Sequence, residues 1–234
     1  MFNDIAPTYD MLNRIISLGF DVRWRARAIR LLEEKRGGRI LDIAAGSGDL
    51  SFDAFRLDPE VVVSTDFATN MLSILREKGE KIAHRPPHHL LACDALALPF
   101  PAESFDVTMV AFGIRNFSDR LRSLTEMHRV LRPGGITMIL ELSEPVSPPM
   151  TWLYQVYARG VLPLVGRIVS RHDSAYRYLP ASISHFPTRA EFLSLLATAG
   201  FVQTSAVRLT FGAATIFLGR KEIRRTNPAG LTEK

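Results

Sequence analysis

Residues 40–49 read Ile-Leu-Asp-Ile-Ala-Ala-Gly-Ser-Gly-Asp, an apolar run that ends in a turn of small residues. Gly46 and Gly48 can take positive φ without a Cβ clash, and a helix that follows such a turn presents unpaired N–H groups, so a ligand can approach the backbone closely. The dinucleotide fingerprint Gly-x-Gly-x-x-Gly is incomplete, because Ser51 holds its third position. The next apolar run ends at Asp66. A carboxylate at the C-terminal edge of a strand accepts both hydroxyls of an unphosphorylated ribose and repels a 2′-phosphate. A third run leads into Cys93-Asp94-Ala95, where Asp94 can accept from an adenine amino group and Ala95 can supply a backbone N–H. These places outline a site for NAD or an adenosyl compound across successive strand ends. Each also has a plainer use: Gly46 and Gly48 as an ordinary strand-to-helix turn, Asp66 as the cap of a helix starting near Ala68, and Asp94 as the cap of a turn.

These residues need a frame that brings strand ends together. From Arg39 the chain alternates short apolar runs with helical patterns, the mark of a parallel sheet with crossover helices. Strands are expected over 39–43, 61–66, 89–92, 105–110 and 136–141, and the third has no evident covering helix. Leu121, Leu124, Met127 and Leu131 recur at helical spacing before Pro133-Gly134-Gly135 stops the helix. The alternation lapses over about forty residues rich in proline, where short inserted helices are expected. It resumes with a helix over 188–199 and alternating runs over 202–209 and 213–218, which suggest an antiparallel hairpin at the sheet edge. The expected fold is therefore α/β and Rossmann-like, a mostly parallel seven-stranded sheet with an antiparallel edge hairpin, helices on both faces and a helical insertion before the last helix. A single domain over 1–221 would carry an N-terminal helical lid (1–32) and an inserted cap (146–183), followed by a flexible tail (222–234).

Composition narrows the setting. The one cysteine, Cys93, excludes an internal disulfide and fits a reducing compartment. The start has no basic and apolar signal pattern, and the most apolar stretch outside the strands, 152–169, is broken by Arg159, Pro163 and Arg167. A cytoplasmic protein is expected, with peripheral contact at the inner face of a membrane as an option. The formal charge of +5 suits nucleic acid, an anionic surface or acidic ligands alike. Part of it is local: Arg23, Arg25, Arg27 and Arg30 crowd one amphipathic segment, whose plainer reading is a solvated basic face. Aromatic residues interleaved with Lys and Arg are lacking, which argues against nucleic acid. His84, His88 and His89 stand among Pro86 and Pro87 without a completing ligand, so no metal is expected. No sequence feature sets an oligomeric state.

The sequence resembles the class I methyltransferases and, within them, the ubiquinone/menaquinone C-methyltransferase family. The resemblance is carried by the block at 2–24, the turn at 41–50, Ala97-Leu98-Pro99-Phe100-Pro101, Phe112-Gly113-Ile114-Arg115-Asn116, residues 129–135 with Glu141 and Ser143, and Tyr176-Arg177-Tyr178-Leu179-Pro180-Ala181-Ser182-Ile183. It implies methyl transfer from S-adenosyl-L-methionine to a ring carbon of a prenylated hydroquinone such as demethylmenaquinol. It places cofactor contacts at Ser47, Asp66, Asp94 and Ala95, with Ser47 where the family usually has threonine, and Gly46 and Gly48 completing the turn. Ala45 stands for a usual glycine, so its φ must be negative. Asp21 lies where the family often has histidine. Arg115 and Asn116 would serve the acceptor. Arginine does not act as a general base, but it can stabilise a phenolate, while Asn116 can orient a ring oxygen. The plainer alternative is that Arg115 pairs with a carboxylate. Tyr9 and Asn13 would belong to the lid, residues 146–183 would build the acceptor pocket, and His172 beside Asp173 is a second candidate base. A lipid-soluble acceptor makes transient membrane-surface contact an expectation, through basic residues near 23–30 or 167–171. The rival readings are ubiquinone-pathway benzoquinol methylation, methylation of another small molecule, and a nicotinamide oxidoreductase, the last disfavoured by Ser51.

Overall fold

In a computed structural model, residues 14, 17–143, 182, 183 and 185–223 are described. They contain helix α1 (Phe20–Arg30), strand β1 (Arg39–Ile43), α2 (Asp49–Ala54), β2 (Val61–Asp66), α3 (Thr69–Glu80), β3 (His88–Ala92) and β4 (Phe105–Ala111). Then follow α4 (Arg120–Val130), β5 (Leu131–Leu142), α5 (Arg189–Thr198), β6 (Val202–Leu209) and β7 (Ala214–Arg220). The strands form one 7-stranded sheet in the order β3-β2-β1-β4-β5-β7-β6. β1 to β5 pair in parallel, and β7 runs antiparallel to both β5 and β6. The expected sheet and edge hairpin are both present.

Period-two alternation divides each strand between two apolar layers. Leu41, Ile43, Val110, Ile139 and Phe217 pack with Leu124 and Met127 of α4 and Phe192 and Leu196 of α5. Ile40, Val62, Val107, Met109, Met138 and Ile216 pack on the other face with Trp24, Ala28 and Ile29 of α1 and Leu50 and Ala54 of α2. Local signals set the helix ends. Asp119 accepts from Arg122 N at 2.9 Å to start α4, and Thr188 and Glu191 form a capping box at α5. β5 begins at Leu131, earlier than the expected 136, because pairing with Phe105 resumes before the register shift that Pro133-Gly134-Gly135 introduces. β3 is the outermost strand; α3 packs against it, contrary to the expectation that it has no covering helix, while Leu91 on it is 39% exposed.

The parallel order reverses direction between β1 and β4, so the loops that leave their C-terminal ends diverge and open a crevice there. α1 closes one flank. Its Arg25 does not join a solvated basic face. The guanidinium turns inward and pairs with Asp21 at 2.7 Å, Asp49 at 3.2 Å and Asp53 at 2.9 Å. Burial raises the Asp21 carboxyl, but the Ser17 hydroxyl and Arg25 outweigh it and hold it below the usual range. The histidine expected of relatives at that position is thus replaced by an internal ion pair. Residues 1–13, 15 and 16 of the proposed lid, and the proposed cap except Ser182 and Ile183, lie outside the described residues, and with them Tyr9, Asn13, His172 and Asp173.

Candidate active site

At the C-terminal end of the sheet lies a cleft of about 340 Å³, within the size range of small-molecule sites. Its walls come from four strand ends: Ala44 and Gly46 after β1, Asp66 and Phe67 after β2, Asp94 and Ala95 after β3, and Phe112, Gly113 and Asn116 after β4. A smaller polar cavity adjoins it, sharing Ala44, Gly46 and Phe112 and adding Arg25, Asp42, Ser47 and Asp49.

Asp66 fastens two of these loops together. Its Oδ2 accepts from Gly46 N at 2.8 Å and its Oδ1 from Ala68 N at 2.8 Å. The carboxylate therefore caps the turn into α3 and also fixes the glycine loop beside it. Burial raises its pKa, against these backbone donors. Two further acceptor positions on a carboxylate match the two hydroxyls of a ribose. Asp94 likewise has two uses: Oδ1 accepts from Leu96 N at 2.9 Å, and the residue lines the cleft. Gly46 has φ 56° and Gly48 φ 91°. A Cβ on Gly48 would stand 2.5 Å from Leu75 Cγ, so glycine is required there for packing as well as conformation. Gly48 does not line the cleft, and Ser47, 3% exposed, faces the smaller cavity instead.

The two residues expected to serve an acceptor divide. Asn116 stands on the cleft wall. Arg115 lies behind it, 9% exposed, with Nη1 2.7 Å from Glu141 Oε1 and also donating to the Phe112 carbonyl. Its own N–H donates to Glu141 Oε2 at 3.2 Å. Arg115 thus bolts the Gly113–Asn116 turn to β5, the carboxylate pairing weighed from the sequence.

Several site residues carried no signal in the sequence. Ala44 and Phe112, on the two loops flanking the cleft, have φ of 53° and 56°. Left-handed backbone at an alanine or a phenylalanine is uncommon, and such strain collects at binding sites. Ala45, where a negative φ was required, is not among the left-handed residues. A Cβ on Gly113 would fall 2.9 Å from the Ala44 Cβ, so the two loops touch and only glycine fits. Phe67 lines the cleft while 81% exposed, an aromatic face poised for a planar ligand. Cys93 also lines it, its thiol raised by burial.

A buried polar chain runs beneath the smaller cavity. The Ser51 hydroxyl donates to Asp42 Oδ2 and lies 2.7 Å from Ser64 Oγ, which is 2.8 Å from His88 Nε2. Ser51, the residue that spoils the dinucleotide fingerprint, is thus committed to the carboxylate of β1. His88 packs edge-on against Phe52 and Phe55, and burial lowers its pKa to about 4. Asp42 Oδ1 has no hydrogen-bond partner among the described residues. Burial pushes the Asp42 carboxyl up to about 7, helped by the charge of Asp66 and opposed by Ser51. A raised carboxyl favours the fold while protonated, so its contribution is whole below about pH 4 and is lost as pH climbs to about 7. Urea titrations should show a loss on the order of 4 kcal/mol between pH 4 and pH 8 from this group, and Asp42→Asn should flatten that slope.

The chain matches the ubiE/COQ5 methyltransferase family over residues 1–221. It is 46% identical over 220 residues to a demethylmenaquinone methyltransferase of Thermus thermophilus, covering 94% of this chain and 99% of that one. It is 43% identical over 228 residues to a ubiquinone/menaquinone biosynthesis C-methyltransferase UbiE of Geobacter sulfurreducens, covering 96% and 88%. Among solved structures, a SAM-dependent methyltransferase of Thermotoga maritima shares the fold with a TM-score of 0.65 at 20% identity, covering 94% of this chain and 98% of that one. A Haemonchus contortus phosphoethanolamine N-methyltransferase 2, solved in complex with S-adenosyl-L-methionine, superposes with a TM-score of 0.60 at 16% identity, covering 84% and 52%. With a family match that spans nearly its whole length and a sheet of the same architecture, the chain belongs to the ubiE/COQ5 methyltransferase family.

Proposed function

We infer that this protein transfers the methyl group of S-adenosyl-L-methionine to a ring carbon of a prenylated hydroquinone, with demethylmenaquinol as acceptor and menaquinol as product. The observation that carries the reading is the meeting of Gly46, Asp66, Asp94 and Ala95 around one cleft in a chain whose relatives are quinone C-methyltransferases along their length. Benzoquinol methylation is the second reading, favoured by the name of the Geobacter sulfurreducens relative.

The residues present fit an adenosyl group. Asp66 receives the ribose hydroxyls, Asp94 and the Ala95 N–H meet the adenine edge, and Phe67 covers its face. Gly46 lets the backbone come close, and Ser47 in the adjoining cavity serves the amino-acid end. Once bound, S-adenosyl-L-methionine supplies a methyl group already activated by its sulfonium. The chain's task is then to position the acceptor carbon in line and to raise its nucleophilicity. Asn116, on the wall, holds a ring oxygen of the hydroquinone and orients the carbon beside it. Arg115, already paired with Glu141, acts as a positioning residue that keeps Asn116 in place. Phe112 and Phe117 on the same wall exclude water. With the cofactor bound, the methyl would pass to the ring carbon with S-adenosylhomocysteine as the leaving group, and the proton lost from that carbon would be released once the product leaves the cleft.

Phe67→Ala should weaken S-adenosylhomocysteine binding roughly tenfold to 100-fold by calorimetry, the range for loss of an aromatic platform under a base. For the reaction itself, purified protein is incubated with S-adenosyl-L-methionine and demethylmenaquinol. S-adenosylhomocysteine should appear in step with consumed acceptor. Cofactor binding without S-adenosylhomocysteine release on either a naphthoquinol or a benzoquinol would leave the fold standing and remove the quinone reading.

A further inference from the structure

Two exposed apolar side chains project from the end of the sheet that holds the cleft. Phe211, 74% exposed, sits in the β6–β7 turn, and Leu18, 69% exposed, precedes α1. Both are left-handed, with φ of 57° and 52°, and Thr210 beside Phe211 has φ 43°. Left-handed backbone at a β-branched residue followed by an aromatic one persists only when its surroundings fix it. Here Trp24 Nε1 donates to Thr210 Oγ1 at 2.8 Å, Ser143 Oγ donates to the Gly212 carbonyl at 2.7 Å, and Ala213 N donates to Thr210 O at 3.0 Å. The turn is therefore bolted down from α1 and from the end of β5, and the side chain it holds out is a large apolar one.

The topology puts these groups on one rim. Leu142 at the end of β5 pairs with Ala214, so the β6–β7 turn lies at the cleft end of the sheet. Glu34, beyond α1, pairs with Arg220, which sits opposite Ile136 at the far end. α1 therefore starts at the cleft end, with Leu18 just before it, Val22, 42% exposed, in its first turn, and Trp24 reaching from it to the β6–β7 turn.

Basic charge flanks this rim. Arg23, Arg27 and Arg30 are exposed at i, i+4 and i+7 of α1, one stripe of the helix, and Arg23 lies over the Phe20 ring. Arg208 is exposed on β6, beside Leu209, which pairs with Ala214. Among the described residues none of these four arginines pairs with a carboxylate, whereas the buried Arg25 of the same helix pairs with three aspartates. Apolar tips bordered by unneutralised arginines complement a surface that is apolar inside and anionic outside.

We propose that Leu18, Val22 and Phe211, with Arg23 and Arg208, form a docking surface for anionic phospholipid bilayers, which turns the mouth of the cleft toward the membrane. This rests on the reading that the acceptor is a prenylated, lipid-dissolved quinol. Apolar side chains enter the headgroup region while arginines near the surface add electrostatic attraction that salt screens.

The test is cosedimentation of the full chain with vesicles of phosphatidylglycerol and phosphatidylcholine, against phosphatidylcholine alone, at low salt and at 0.5 M salt. Wild type should bind the anionic vesicles and lose most of that binding in high salt. Phe211→Asp should weaken partitioning at least tenfold, and Arg23→Gln with Arg208→Gln about 25-fold, from roughly fivefold for each arginine. Turnover of a short-chain, water-soluble demethylnaphthoquinol should be unchanged in both variants, which shows that they fold and separates docking from catalysis. Absence of vesicle binding by wild type, or binding indifferent to these substitutions, overturns the proposal. So does a change in sedimenting mass with Phe211→Asp in the absence of lipid, which would make the rim a contact between two copies of the chain. Vesicle binding as expected without methyl transfer to the short-chain acceptor upholds the docking surface and refutes the acceptor reading.

Discussion

Glu141→Ala is expected to destabilise the protein by about 3–5 kcal/mol, the cost of leaving one member of a buried ion pair uncompensated. Glu141 is fully buried, and Arg115 is 9% exposed. The carboxylate accepts from Arg115 Nη1 at 2.7 Å, Arg115 N at 3.2 Å and Leu142 N at 2.8 Å. Removing it takes the paired charge from a buried guanidinium and frees two backbone N–H groups in the interior. Urea unfolding monitored by fluorescence checks the size of the loss. The paired variant Arg115→Met, Glu141→Leu should recover much of the stability, since apolar replacement of a whole buried pair is often neutral or better. It should not recover activity. With the bolt to β5 gone, Asn116 loses its fixed position, and the expected signature is a fall in kcat with little change in cofactor affinity. Recovery of both stability and kcat in the paired variant would show that the Arg115–Glu141 pair has no part in positioning the acceptor.

The second large effect is on the cofactor. Asp66→Ala should raise the Kd for S-adenosylhomocysteine by roughly 100- to 10,000-fold, as expected for loss of two hydrogen bonds to a charged acceptor at about 1.5–3 kcal/mol each. It also releases Gly46 N and Ala68 N from the carboxylate that joins the two loops. Asp66→Asn keeps an acceptor for one backbone donor, and its Kd should fall between those of wild type and Asp66→Ala. Calorimetric titration at pH 7.5 distinguishes the three. Equal affinity across them would move the ribose away from the end of β2.

The order of strands and helices was legible because each element announces itself locally. Val61–Asp66 reads as a buried strand from its three consecutive valines, and Thr188 with Glu191 writes the start of α5 in four residues. That Gly46, Asp66, Asp94 and Ala95 would line one cleft was legible for a related reason: they stand directly at strand ends, and the sheet alone brings such ends together. What stayed hidden depends on tertiary contact. Nothing in an alanine or a phenylalanine forecasts the positive φ of Ala44 and Phe112, which the meeting of two loops at Gly113 imposes. A carboxylate partner for Arg115 could be weighed from the sequence but not identified, because Glu141 is 26 positions away and becomes a neighbour only through the parallel pairing of β4 with β5. Arg25 looked like one of four surface arginines until the aspartates of α2 came beside it.

The most direct measurement uses S-adenosyl-L-methionine carrying a 13C methyl group, with demethylmenaquinol and a benzoquinol offered separately, and locates the label by mass spectrometry and carbon NMR. A single labelled methyl on a ring carbon of menaquinol is the expected result. Label on a ring oxygen, or unlabelled quinols alongside a bound cofactor, would contradict it.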